Sequence, residues 1–127
     1  REGQDDAERN YRQARALLEQ HDDLAGIYNI GGGAEGVGRA LKEHGRDPAS
    51  TVFVAHGLTP DTRALLIDGT LDAVITQHPQ TVLLNAVRIF TNLRDGRSAN
   101  AGVEPVRISV WCEPSQIASG KPVSGCV

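Results

Sequence analysis

Amide, imidazole and glycine residues stand where three short apolar segments of the sequence end, and these residue types suit a polar ligand. Asn29 precedes a run of three glycines, His56 ends the second segment, and Gln77 ends the third. An amide side chain both donates and accepts hydrogen bonds, as the hydroxyl groups of a ligand require. Asn29 could instead form a turn, Gln77 could cap a helix, and His56 could be an ordinary surface residue. The candidate ligand-binding residues are Asn29, Gly31, Gly32, His56 and Gln77.

Residues 31–36 fit the pattern G-x-G-x-x-G between a predicted strand and a predicted helix. In dinucleotide-binding proteins such a turn presents main-chain N–H groups to a phosphate. The acidic residue that should end the next strand and bind a ribose is absent, because that strand ends at Ala55-His56-Gly57. The alternative is that the glycines permit a tight turn and the close approach of a neutral ligand.

No arrangement of residues in the sequence indicates catalysis or a metal site. A G-x-S-x-G nucleophile elbow is absent. His21, His44 and His78 share no metal-ligand spacing with His56. The two cysteines could form a structural disulfide, but they have no clustered partners for zinc. We therefore predict a protein that is not an enzyme, with no catalytic residues, no metal and no cofactor.

The composition of the 127 residues limits the possible partners. The hydrophobic fraction of 39% permits a packed core, and the net charge is −3 with scattered lysines and arginines. Nucleic-acid binding by this segment alone is therefore not expected. The apolar runs are too short for a membrane span. The polar N-terminus does not resemble a signal peptide, and the absence of methionine indicates part of a longer polypeptide.

Helical and strand patterns alternate along the chain. Helices are predicted over residues 5–19, 34–44, 60–67 and 79–94, and strands over residues 24–30, 51–55, 71–76 and 106–111. This alternation predicts the α/β class, as a three-layer αβα sandwich with a mainly parallel sheet. In such sheets ligands bind beyond the carboxyl ends of the strands. Residues 1–111 are therefore predicted to form one ligand-binding lobe, and residues 112–127 an atypical tail or linker without an assigned role.

Two strings of the sequence resemble the second lobe of lactose-repressor (LacI) type regulators and ribose-type periplasmic binding proteins. Residues 27–41 resemble the strand, turn and helix of that lobe. Residues 58–79 resemble its T-P loop, its helix ending in glycine, its L-D-A strand and its Q-x-P turn. The resemblance covers roughly residues 5–111 and implies one lobe of a periplasmic-binding-protein-like type I fold. It also implies that Gln77 contacts a sugar and that Asn29 with the following glycines forms the first ligand loop.

The resemblance implies a sensor whose two lobes close on a ligand. We expect the effector-binding lobe of a cytoplasmic LacI-type regulator that senses a sugar or a similar polar molecule. The alternative is a lobe of a periplasmic sugar-binding protein of an ABC transporter, and a nucleotide-binding enzyme domain is a third. The expected partners are the effector and a second copy of the chain in a homodimer. DNA is expected to bind only through a head domain that is absent here, and no membrane partner is expected. Gly57 stands where the family often has an acidic ligand residue, so the sequence does not identify the sugar.

Overall fold

The structure is a computed structural model that describes residues 2–45 and 50–112 of the chain. Helices and strands alternate along it, as the sequence predicts. The helices are α1 (Ala7–Gln20), α2 (Ala34–His44), α3 (Pro60–Ile67) and α4 (Pro79–Arg94). The strands are β1 (Gly26–Asn29), β2 (Val52–His56), β3 (Ala73–Gln77) and β4 (Ile108–Cys112). The predicted tail begins inside β4, and its remaining residues lie outside the described part of the chain.

The strands of the described residues form one sheet in the order β1-β2-β3-β4. β1 pairs with β2 in parallel, with Tyr28 opposite Val54, and β2 pairs with β3 in parallel, with Val54 opposite Ala73. Parallel neighbours require a crossover connection, and α2 and α3 provide these connections. The predicted α/β class with a mainly parallel sheet is therefore confirmed.

Local signals in the sequence fix where the helices begin and end. The Asp6 carboxylate accepts a hydrogen bond from the Arg9 N–H at 2.7 Å and caps α1. Thr59 and Thr62 form a capping box in front of α3. Gly45 ends α2 with a φ of 71°, a left-handed conformation that favours glycine. Asp6, Gly45 and Thr59 therefore set the start of α1, the end of α2 and the start of α3.

The core packs three helices against one face of the sheet. Phe53 and Ala55 alternate along β2 and are fully buried, so they lie on the covered face. Val54 and His56 point to the opposite face and are only partly buried, because successive strand side chains alternate between faces. The buried apolar residues of this core are Ala14, Leu18, Ala34, Val37, Ala40, Phe53, Ala55, Leu65, Leu66, Leu71 and Val74.

Charged side chains join α1 to α2 at the surface. The Arg39 guanidinium lies 3.8 Å from the centre of the Tyr11 ring and 2.6 Å from the Glu8 carboxylate. The Tyr11 hydroxyl donates a hydrogen bond to Glu43. Exposed ion pairs contribute little to stability. The close apolar packing of the two helices is therefore the main attraction between them.

Asp72 is a buried carboxylate that supports β2. Its Oδ2 accepts a hydrogen bond from the Phe53 N–H at 2.8 Å, and its own N–H donates to the Phe53 carbonyl at 2.9 Å. Asp72→Ala would leave a buried N–H unsatisfied, so we expect the free energy of unfolding to fall by roughly 1–3 kcal/mol. Asp72→Asn retains an oxygen acceptor and should cost less. Urea denaturation measures both, with the exposed Asp23→Ala as control; equal losses for the alanine and asparagine variants at position 72 would contradict this role.

The described residues divide into two compact units, one up to Thr76 together with the residues from Val110 on, and a second formed by Gln77–Ser109. In the second unit a loop folds back along α4. The buried Asn92 amide donates to the carbonyls of Ala99 and Ala101, at 3.1 and 2.8 Å. Asn85 bonds both main-chain groups of Glu104 in a similar way. Hydrogen bonds made by these two asparagines therefore hold the loop against α4.

Helix α4 carries many exposed apolar side chains. Leu83, Leu84 and Phe90 are each about two-thirds exposed or more. The helix has 16 residues, fewer than the roughly 20 that a bilayer requires. Among the helices of residues 2–45 and 50–112, none is long and apolar enough to cross a membrane.

Candidate ligand site at the strand ends

The three glycines after β1 form a turn that two asparagines hold in place. The Asn29 Nδ2 donates to the carbonyls of Gly31 and Gly32, at 2.7 and 3.2 Å. The buried Asn10 Nδ2 donates to the carbonyls of Gly32 and Gly33, at 2.9 and 3.2 Å, and lies 3.4 Å from the Asn29 Oδ1. Both amides therefore satisfy main-chain carbonyls of the turn. Asn29 stands at the predicted ligand loop, and in this structure its side chain shapes that loop.

Asp5 lies against the same turn from the other side. Its Oδ1 accepts a hydrogen bond from the Gly32 N–H at 2.7 Å. A Cβ atom at Gly31 would lie 3.1 Å from the Asp5 Cγ and closer still to a carboxylate oxygen, so a larger residue there would displace the Asp5 carboxylate from its present position. Gln4 and Asp5 adopt φ values of 52° and 55°, which cost a non-glycine residue roughly 1–2 kcal/mol each. The chain therefore places this carboxylate on the turn at the expense of backbone strain.

Sequence reasoning missed both Asp5 and Asn10. Asp5 stands in a polar stretch of the sequence, and its partner Gly32 is 27 positions away. Asn10 shares a face of α1 with Ala14 and Leu18, at spacings of four residues. That spacing is the signal which could have identified Asn10 as a buried amide in need of hydrogen-bond partners.

His56 ends β2 and contacts an aromatic neighbour that the sequence did not single out. The ring centres of His56 and Tyr28 are 5.7 Å apart, with an angle of 49° between the planes. Tyr28 is 51% exposed, and both side chains lie on the sheet face opposite Phe53. The pair presents an aromatic surface with a hydroxyl and an imidazole, two groups that can bond a polar ligand.

Gln77 is the last residue of β3 and is exposed. Its side chain or main chain takes part in an interaction, so the residue is not free. It belongs to the second compact unit. The structure thus brings Asn29, Gly31 and Gly32 together and sets His56 beside Tyr28, while Gln77 is described with the second unit only.

A cavity of about 210 Å³ opens beside the turn, between α1 and the outer edge of β1. Asn10, Gln13 and Asn29 line it, so three amide-bearing residues border this cavity. Most of the other lining residues are small or apolar, including Gly26 and Val37. A mixed wall of this kind suits a small neutral molecule better than a multiply charged one.

A second cavity, between α2 and α3, contains none of the predicted ligand residues. Lys42 and Asp68 form an ion pair of 2.6 Å across it. Burial acts to raise the pKa of Asp68, but hydrogen bonds from Lys42 and from Thr70 outweigh it and leave that pKa below its ordinary value. The ion pair is structural, because it joins two neighbouring helices of the core.

Metal binding finds no support in the described residues. Over residues 2–45 and 50–112, no group of three or more His, Cys, Asp or Glu side chains could hold a metal ion. Cys112 is bonded in a disulfide, and Cys126 lies outside these residues. The polar side chains described at the carboxyl ends of β1 and β2 are the amides of Asn10 and Asn29, the His56 imidazole, the Tyr28 phenol and the Asp5 carboxylate.

Several solved structures share this fold, and their names describe sugar-binding or solute-binding proteins. GanP, a glucose-galactose binding protein from Geobacillus stearothermophilus, is 19% identical with a TM-score of 0.75, over 96% of this chain and 41% of that one. An ABC transporter solute binding protein from Agrobacterium vitis, with bound D-fucose, is 24% identical with a TM-score of 0.73 over the same shares. A sugar-binding protein of a sugar ABC transporter from Bacillus halodurans is 28% identical with a TM-score of 0.55, over 58% and 25%.

The matched part of the chain spans less than half of each of these proteins, namely 41%, 41% and 25% of their lengths. Comparison with curated protein sequences gives no match. A family model described as a periplasmic binding protein domain matches residues 1–98. This match covers most of the sequence and agrees with the parallel sheet and the glycine turn at its carboxyl edge. The chain therefore belongs to the periplasmic binding protein domain family.

Proposed function

We propose that the chain is one sugar-binding lobe of a two-lobed receptor and that it binds its ligand without catalysis. The observation that carries the proposal is the family match over residues 1–98, combined with polar groups at the carboxyl ends of β1 and β2. Ligands of open parallel sheets bind at this edge. The solved relatives are named as sugar-binding proteins, and one holds D-fucose. A thermal-shift screen of monosaccharides, disaccharides and polyols tests the proposal, and a lack of stabilisation by every sugar would contradict it.

The named relatives favour a solute-binding protein of a sugar transporter as the setting of this lobe. They include an ABC transporter solute binding protein and the sugar-binding protein of a sugar ABC transporter. A LacI-type regulator is the second candidate, supported by the resemblance of residues 58–79 to that family. The polypeptide that precedes Arg1 in the source gene decides between them. A helix-turn-helix would support the regulator in the cytoplasm, and a signal peptide would support the exported binding protein.

Gln77 is proposed to bond a hydroxyl group of the sugar. In the complete two-lobed protein, Gln77→Ala should weaken sugar binding by roughly 1–3 kcal/mol, because a buried polar contact is lost. Titration calorimetry with the sugar found in the screen measures the change. Gln80→Ala, an exposed glutamine in the first turn of α4, is the matched control. An unchanged affinity in Gln77→Ala would remove this residue from the site.

A further inference from the structure

The Asp5 carboxylate occupies the part of the glycine turn that would otherwise attract an anion. The turn leads into the N-terminus of α2, where free N–H groups and the helix dipole favour negative charge. The N-cap residue of α2 is Gly33, which has no side chain that could accept hydrogen bonds from the N–H groups of the first turn. The Gly32 N–H nevertheless points at Asp5 and donates to it at 2.7 Å. The chain thus supplies its own negative group at this place.

The charges around Asp5 do not cancel its effect. Glu35 in the first turn of α2 adds a second negative charge. Two cations of α1 and α2 have partners other than Asp5: Arg39 pairs with Glu8 at 2.6 Å, and Arg9 donates to the Gln4 side chain. A phosphate or carboxylate that approached Gly32 would therefore meet a like charge at close range. A hydroxyl group would meet an acceptor to which it can donate.

We propose that Asp5 makes the glycine turn selective for uncharged, hydroxyl-bearing ligands and excludes sugar phosphates, sugar acids and nucleotides. The inference rests on the proposed sugar-binding function and names the charge class of its ligand. It also gives the glycines a consistent role. Gly31 leaves room for the carboxylate, and Gly32 supplies the N–H that orients it.

An NMR titration of the ¹⁵N-labelled chain with inorganic phosphate tests the proposal. The chemical shift of the Gly32 amide is the readout. In the wild type we expect no saturable change of that signal at millimolar phosphate. Asp5→Asn removes the charge and keeps a similar shape, and Asp5→Ala also frees the Gly32 N–H. Both variants should bind phosphate at Gly32 at least about tenfold more tightly than the wild type. Asp23→Asn removes the same charge at an exposed position away from the turn and is the control.

Two results would overturn the proposal. One is a wild-type chain that binds phosphate at Gly32 as tightly as Asp5→Ala does. The other is a pair of Asp5 variants that keep the wild-type spectrum elsewhere and still do not bind phosphate. D-Fucose and D-arabinose, titrated separately into the wild type, report on the sugar-binding function itself. Failure of the sugars would count against that function, while the phosphate titrations would still show whether Asp5 rejects anions.

Discussion

Gly36→Ala is expected to lower the free energy of unfolding by about 2–3 kcal/mol, the usual cost of an overpacked core. The helices α1 and α2 cross at this glycine. An added Cβ atom would lie 2.8 Å from the Ala7 carbonyl carbon and 3.0 Å from the Tyr11 nitrogen, and would overlap the Ala7 carbonyl oxygen. These atoms belong to the backbone of α1, so they cannot rotate away. The helices would have to separate, and the apolar contacts that hold them would weaken.

Gly38→Ala is the matched control for this prediction, because it lies in the same helix two residues later. Its added Cβ atom would meet the Leu65 Cδ2 atom at 2.6 Å, and that methyl group ends a flexible side chain which can move. Both substitutions gain roughly 1 kcal/mol of helix propensity, so their difference isolates the backbone clash. Chemical denaturation followed by circular dichroism measures both. Equal stability of the two variants would show that α1 does not approach α2 at Gly36 as described.

Asn10→Asp should destabilise the chain by roughly 3 kcal/mol, because it replaces a buried donor by a charged acceptor. The Asn10 Nδ2 faces the carbonyls of Gly32 and Gly33, and a carboxylate oxygen in its place would repel both. Asn10→Ala removes the donor without adding charge and should cost less, roughly 1–2 kcal/mol. Denaturation curves give the size of both effects. Hydrogen exchange at the glycine turn gives their location, because the loosened turn should exchange faster.

The control for Asn10→Asp is Gln80→Glu, which changes an amide to a carboxylate at an exposed position of α4. It should leave stability nearly unchanged. If Asn10→Ala were more harmful than Asn10→Asp, the main contribution of this residue would be its volume and not its hydrogen bonds. The described role of Asn10 in the turn would then be wrong.

The sequence predicts α2 to the residue, the first residues of α3 and α4 to the residue, and the last residues of α3 and α4 approximately. The structure has α2 at Ala34–His44, α3 at Pro60–Ile67 and α4 at Pro79–Arg94, the ranges that the patterns predict. Glycine and proline mark these ends, and their effect on the backbone is local. Three strands begin two residues later than predicted. β3 shows why: Leu71 is fully buried, yet its N–H bonds the Leu65 carbonyl of α3, so the apolar run starts before the strand does.

The candidate site was harder to predict, because its geometry depends on contacts between distant residues. Asn29 and the glycines were identified from their place after a strand. The sequence could not show that the Asn29 amide would bond its own loop, or that Asp5 would lie on Gly32 from 27 positions away. Tyr28 was overlooked because the aromatic contact with His56 requires the register of two parallel strands. The role of Gln77 in ligand binding stays a prediction.

The glycine turn is held by hydrogen bonds with the protein's own Asn10, Asn29 and Asp5 side chains, and this has a calorimetric consequence. A loop that is disordered in the free protein must lose conformational entropy when it binds. Here the turn loses its conformational entropy during folding, so it is pre-organised for binding. Sugar binding at this edge should therefore show a small entropic penalty and little change in the exchange rate of the Gly32 amide. Variants of Asn10 should lose affinity mainly through a less favourable binding entropy, because the turn that they loosen must then be ordered on binding.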